Sequence, residues 1–222
     1  MTAMMKLYTY FRSSAAYRVR IALHLKGLTF ESIAIHLLQD HGQQHQDSYK
    51  AINPNALVPT LITDHDHAIT QSLAIIEYLN DTYPEPGLLP GDSLQRARVR
   101  AIAQSIACDI HPLNNLRVLQ YLKDKLSMTA QQRSQWYRHW IGVGLMAVET
   151  ILARDEQTGT FCHGDTPSLA DCCLIPQVFN AQRFDCDLSS MPTILRIYET
   201  CMTLKAFREA APDMQADAED GQ

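Results

Sequence analysis

The segment Tyr83-Pro-Glu-Pro-Gly-Leu-Leu-Pro-Gly-Asp92 constrains the fold more than any other, because three prolines and two glycines in ten residues exclude both a helix interior and a strand interior. It divides the chain. Before it, short apolar runs alternate with helical periodicity: a strand over 6–10, a helix over 15–26, a strand from Phe30 to His36, a polar loop with a short helix ending near Ile52, a hairpin over 60–70 and a helix over 72–83. A β-α-β unit followed by a hairpin and a helix predicts a mixed four-stranded sheet whose first crossover is right-handed. After the linker, periodic segments at 92–122, 129–154, 168–184 and 191–210 predict an all-helical second part. The domains are thus expected at 5–83 and 92–212. Ser168-Leu-Ala-Asp171 has the form of a capping box with Asp in place of Glu, and the acidic stretch from Pro212 to Gln222 is expected to fray.

With 46% apolar residues in 222, the chain can bury a substantial core. Its 19 basic residues are scattered and its net charge is −5, which argues against nucleic acid as a partner. No apolar run approaches the length of a membrane span and the N-terminus lacks a signal-peptide core, so the expected location is the cytoplasm. Six cysteines without a C-x-x-C pair are expected to be free thiols. Nine histidines raise the question of a metal, but Asp64-His-Asp-His67 reads as a solvated hairpin turn, and His36, His41 and His45 lie in a polar loop with no carboxylate or thiolate partner. No metal is expected.

Chemistry concentrates at Ser13 and Ser14, where the strand Lys6-Leu-Tyr-Thr-Tyr10 gives way to a helix carrying Val19, Ala22 and Leu23 on one face, with Gly27 as its stop. A helix beginning near Ser14 aims unpaired N–H groups and a positive dipole end at whatever lies beside the serines, which stabilises a thiolate. Either serine also serves as an ordinary N-cap. Val58-Pro59, directly before a strand, can adopt a cis bond that turns the preceding backbone outward toward a peptide-like ligand, or can simply open an edge strand. Ser72 is placed to cap the next helix and to hold a carboxylate there. Gln71 beside it is the more informative residue, since capping needs no amide.

The order strand, Ser-Ser, Val-Pro, Gln-Ser, Pro-rich linker and helical domain resembles a glutathione transferase with a thioredoxin-like N-terminal domain and an all-α C-terminal domain. Ser13-Ser14 followed by Tyr17-Arg-Val-Arg-Ile-Ala-Leu23, Gly42-Gln-Gln44, Gln71-Ser-Leu-Ala-Ile-Ile-Glu-Tyr-Leu79, Ile110-His-Pro-Leu-Asn-Asn-Leu116 and Asn180-Ala-Gln-Arg-Phe184 resemble the zeta class more narrowly. The match runs from about Lys6 to Phe207. Where the class usually continues Ser-Ser-Cys, this chain has Ala15, so a protein thiol plays no part at that position.

The resemblance implies glutathione as cofactor, bound by Ser13 and Ser14 at the sulfur, Val58 at the cysteinyl backbone, Gln71 and Ser72 at the γ-glutamyl carboxylate, with Gln44, His111 and Asn115 completing the pocket. One of the two serines is expected to face the sulfur while the other supports the helix start, with Ser13 favoured for the sulfur. It further implies cis–trans isomerisation of maleylacetoacetate to fumarylacetoacetate in tyrosine and phenylalanine breakdown, by thiolate addition, rotation and elimination. A dicarboxylate substrate calls for arginines, and Arg12, Arg117 and Arg183 are the candidates. Maleylpyruvate isomerisation in gentisate breakdown is the alternative with the same chemistry, and a glutathione-conjugating or glutathione-binding protein without isomerase activity is the alternative from another class. A homodimer is expected from the fold.

Overall fold

Strand β1 (Met5–Thr9) buries Met5, Leu7 and Thr9 and exposes Lys6, the alternation of a strand covered on one face. The computed structural model describes residues 4–218. Within it β1 runs parallel to β2 (Phe30–Ala34) and antiparallel to β3 (Thr60–Ile62), which pairs in turn with β4 (Ala68–Thr70), giving the mixed order β2-β1-β3-β4. Helix α1 (Ser14–Leu25) makes the β1–β2 crossover, a single turn α2 (Asp47–Lys50) precedes the hairpin, and α3 (Ser72–Thr82) follows it. Gly27, at φ +63, ends α1: its N–H donates to the His24 carbonyl at 3.1 Å and that of Leu28 to the Leu23 carbonyl at 3.0 Å, a left-handed cap that glycine adopts without strain.

The helical part begins with α4 (Ser93–Gln104), capped reciprocally by Asp92 and Gln95. The periodic segment predicted over 92–122 is not one helix. It widens to a π-helix over Ser105–Ile110, tightens to a 3-10 turn over His111–Asn114 and restarts as α5 (Leu116–Asp124). Pro112 offers no N–H to the preceding turn, which accounts for the break. Helices α6 (Ala130–Arg154) and α7 (Leu169–Arg183) match their predicted spans, and α7 opens with the expected box, Asp171 Oδ2 accepting from both the Ser168 N–H and hydroxyl at 2.8 Å. The segment predicted over 191–210 is likewise two helices, α8 (Pro192–Thr203) and α9 (Lys205–Ala210), separated at Leu204, whose ψ of 133 is extended.

The chain packs as two compact units, one running to Leu88 and resuming at Thr203, the other spanning Leu89–Met202. The first division falls in the proline-rich linker and the second at Met202–Thr203, the end of α8. Helix α9 belongs to the sheet-bearing unit, where the Tyr17 hydroxyl donates to the Phe207 carbonyl and Arg20 Nε to the Ala210 carbonyl. The stretch after Pro212 does not fray through Ala218: the Phe11 N–H donates to Asp217 Oδ2 at 3.0 Å. Residues 219–222 of that stretch lie outside the described residues.

Arg98 on α4 organises the loop after α6. It donates to Asp155 Oδ2 at 2.6 Å, Thr158 Oγ1 at 2.7 Å and the Cys162 carbonyl at 2.8 Å, and faces His163 Nδ1 at 3.2 Å. His163 is 8% exposed, and burial first, then the Arg98 charge, holds its imidazole below the ordinary histidine value. The native state therefore binds this proton less readily than the unfolded chain, so stability is complete above the unfolded value and falls as pH drops through about 6.5. His24, lowered mainly by burial, acts in the same sense. The thermal midpoint is expected to decline between pH 7 and pH 5, and His163→Gln to make that decline shallower; parallel curves for the two proteins by circular dichroism would reject the assignment.

Candidate active site

Ser13 occupies the N-cap of α1, its Oγ accepting from the Ala16 N–H at 3.2 Å, and its own N–H donates to the Tyr10 carbonyl at 2.9 Å, closing the turn out of β1. A hydroxyl that accepts in this way keeps its hydrogen for a second partner, so capping and donation to an anion are compatible. Ser14 is the first helical residue and is buried. Arg12, half-buried, places its guanidinium 4.8 Å from the centroid of the Phe11 ring.

Helix α3 begins at Ser72, where its sequence suggests, but Ser72 is not its cap. Gln71 holds the cap position, with φ +72 and ψ 117, and its exposed carboxamide makes no capping bond. Ser72, buried at the first helical position, accepts at Oγ from Arg18 Nη1 at 3.2 Å. Arg18 is 2% exposed. A buried guanidinium, a serine hydroxyl and the free N–H groups of a helix start converge there, which is the donor set for a carboxylate. The sequence reading missed Arg18, although an arginine four residues after Ser14, next to Val19 on the apolar stripe, was a usable signal.

Gln44 is 6% exposed and lies in a loop held in register by polar contacts. His36 Nδ1 accepts from the Gln39 N–H at 2.8 Å, and Gln43 Oε1 accepts from the His36 N–H at 2.8 Å. A Cβ at Gly42, where φ is +91, would come within 2.7 Å of Gln44 Nε2. The Gln44 carboxamide donates to the Leu37 carbonyl at 3.4 Å, while its Oε1 has no partner. The Val58–Pro59 bond is cis, and Val58 is buried in one cluster with Tyr10, Phe11 and Tyr49, against which Leu37 also packs. The Tyr49 hydroxyl fixes this corner by donating to the Leu57 carbonyl at 2.6 Å.

The helical unit carries the remaining candidates. His111 opens the 3-10 turn and Asn115 follows it, with Asn115 Nδ2 3.5 Å from His111 Nε2 and Asn115 Oδ1 accepting from the Arg117 N–H at 3.1 Å as the cap of α5. Asn114, which the sequence reading passed over, is buried with neither side-chain polar atom hydrogen-bonded. Arg117 is exposed in the first turn of α5. Arg183 ends α7 with its guanidinium 5.2 Å from the centroid of the Phe184 ring, and Phe184 stacks on Tyr137 at 3.6 Å. Burial pushes the Tyr137 phenol far up, with the Arg183 charge acting against it. Among the described residues no group of three metal-ligating side chains occurs.

Residues 7–87 match the family model for the glutathione S-transferase N-terminal domain. A probable maleylacetoacetate isomerase of Vibrio cholerae is 50% identical over 96% of this chain and 97% of its own length. The holo structure of maleylpyruvate isomerase, a bacterial glutathione S-transferase of the zeta class, superposes with a TM-score of 0.93 at 44% identity, covering 96% of this chain and all of that one. The chain belongs to the zeta class of glutathione S-transferases. Maleylacetoacetate isomerase from Methylobacterium extorquens AM1, solved with bound malonate and GSH, superposes with a TM-score of 0.92 at 40% identity over 96% of this chain and 99% of that one.

In this zeta-class chain Gln71 is a residue other than glycine held at φ +72 and ψ 117, where an L side chain is strained by about 1–3 kcal/mol. Gln71→Gly is therefore expected to raise folding stability by about 1 kcal/mol while removing the carboxamide from the site. Denaturant unfolding measures it, and a lower midpoint in the variant would show that the backbone is not strained there.

Proposed function

We propose that this chain is a glutathione-dependent cis–trans isomerase that converts maleylacetoacetate to fumarylacetoacetate. The observation that carries the reading is the pairing, within one unit of a zeta-class chain, of the Arg18–Ser72 contact at the start of α3 with Ser13 and Ser14 at the start of α1. The first suits a carboxylate and the second a sulfur anion. The unpartnered Gln44 Oε1 adds a buried acceptor for a ligand N–H, so the residues present fit glutathione.

When bound, glutathione supplies a nucleophilic thiolate, whose reversible addition to the conjugated alkene removes the double-bond character that blocks rotation. The protein's part is to hold and polarise. Ser13 donates to the sulfur, Ser14 lies close behind it, and with the N–H groups of α1 they keep the sulfur ionised. Gln71 and Ser72, with Arg18 behind them, anchor the γ-glutamyl carboxylate; the Val58 backbone pairs with the cysteinyl residue; Gln44, His111 and Asn115 complete the contacts. Arg12, Arg117 and Arg183 take the two substrate carboxylates and steady the negative charge that develops on the conjugated carbonyl oxygen. The binding of both malonate and GSH by the Methylobacterium relative supports a dicarboxylate substrate here. Maleylpyruvate is the second reading, supported by the 0.93 match to its isomerase, and assay of both substrates decides.

The functional division we infer makes 5–83 the principal glutathione-binding part and 92–212 the principal substrate-binding part. Six free thiols support a reducing cytoplasm, and the exposed Val143, Met146 and Ile151 on α6 support a homodimer. Its place is in tyrosine and phenylalanine breakdown.

Arg183→Ala should leave glutathione affinity nearly unchanged and lower kcat/KM for maleylacetoacetate by about 2–4 kcal/mol, with Arg183→Lys recovering part. Conjugation of a neutral aryl halide serves as control. If both activities fall together, Arg183 instead supports the α7 terminus against Tyr137 and Phe184. Replacing the sulfur-facing serine by alanine should slow turnover by about ten- to a thousandfold and raise the pKa of the bound thiol, the other serine having a smaller effect. Wild-type turnover in Ser13→Ala, Ser14→Ala and the double variant would refute the role of the pair.

A further inference from the structure

The turn between β1 and α1 is held from outside the sheet. Strand pairing ends at Thr9, and the next peptide groups are taken by two side chains distant in sequence. Arg20 donates to the Tyr10 carbonyl at 3.3 Å, the Phe11 carbonyl at 2.9 Å and Thr9 Oγ1 at 2.9 Å, while the Phe11 N–H donates to Asp217 Oδ2 at 3.0 Å. Arg20 is fully buried, and the Asp217 charge acts against the desolvation that lowers its pKa to about 10. The segment that delivers Asp217 is itself anchored, Gln215 Nε2 donating to the Glu209 and Ala211 carbonyls at 2.8 and 2.9 Å. One residue on, Ala218 packs against the cluster of Tyr10, Phe11, Tyr49 and Val58.

We propose that Asp217 is a positioning residue for the cofactor site, fixing from the C-terminal segment the turn that presents Arg12 and Ser13. Its carboxylate acts two residues before Ser13, and its neighbour Ala218 bears on the cluster that seats Val58. The C-terminal segment thus supports two of the four first-unit segments assigned to glutathione, the Ser13 turn and the Val58 turn. The inference rests on the glutathione reading above.

Full-length Asp217→Ala removes the acceptor for the Phe11 N–H. Asp217→Asn keeps an oxygen there and removes the charge, and Asp213→Asn alters an exposed carboxylate on the same segment. By calorimetry Asp217→Ala should bind glutathione about tenfold more weakly, and the thiol-ionisation limb of its pH–kcat/KM profile should move to higher pH. Asp217→Asn should stay within about threefold of the wild type, since a neutral amide oxygen still accepts, and Asp213→Asn should match it. Wild-type affinity and profile in Asp217→Ala, or a tenfold loss in Asp217→Asn, overturns the proposal. If Asp217→Ala does not fold, Asp217→Asn decides alone, by amide exchange: protection at Phe11 equal to wild type supports the contact and its loss overturns it. Failure of the wild type to bind glutathione would overturn the functional reading instead.

Discussion

A fully buried guanidinium, that of Arg20, is the interaction on which the sheet-bearing unit depends. Removing such a group from water costs several kcal/mol unless every donor is matched, and here the acceptors come from Thr9, Tyr10, Phe11 and Ala210. That demand joins the end of β1, the turn into α1 and the end of α9 in one polar knot. Ser13 then caps α1 from a turn whose carbonyls are already spoken for, so the hydroxyl's direction is set by groups that never touch a ligand. Arg18, just over one helical turn beyond Ser14, does the same for the start of α3 through Ser72. Two arginines in one helix thereby orient the turn into α1 and the start of α3.

Much of this was legible in residues whose signals are local. The β-α-β order, the hairpin, the Gly27 stop and the Ser168–Asp171 box follow from periodicity and capping chemistry, which act over a few residues. What escaped was decided by distant partners. Helical periodicity continues through Pro112, yet the turn there changes from α to π to 3-10, and at Leu204 the pattern hides a break. The acidic composition after Pro212 gave no hint that Asp217 would meet Phe11 across 206 positions. At the candidate site, Ser13, Ser14, Val58, Gln71 and Ser72 stood out as motifs. Arg18 and Asn114 did not, because burial of a polar side chain is a property of packing that the residue type argues against.

The division of polar groups between the units matches the chemistry proposed. The sheet-bearing unit offers hydroxyls, backbone N–H groups and a buried arginine, suited to a ligand held the same way in every turnover. The helical unit offers exposed arginines on aromatic or helix-end supports, Arg183 over Phe184 and Arg117 beside the α5 cap, which can adjust to a substrate that changes shape during reaction. Ala15 in place of the class's cysteine is compatible with this scheme, since the sulfur that reacts is the cofactor's.

The return of the chain to its first unit at Thr203 has a consequence for synthesis. A ribosome releases the sheet, α1 and α3 long before it releases α9, so during elongation the buried face of α1, with Tyr17 and Arg20, stands without the backbone carbonyls of Phe207 and Ala210. The unit that emerges first is therefore the one completed last. Loss of the final twenty residues through a premature stop would leave the helical unit's own sequence whole while depriving the sheet-bearing unit of its closing piece.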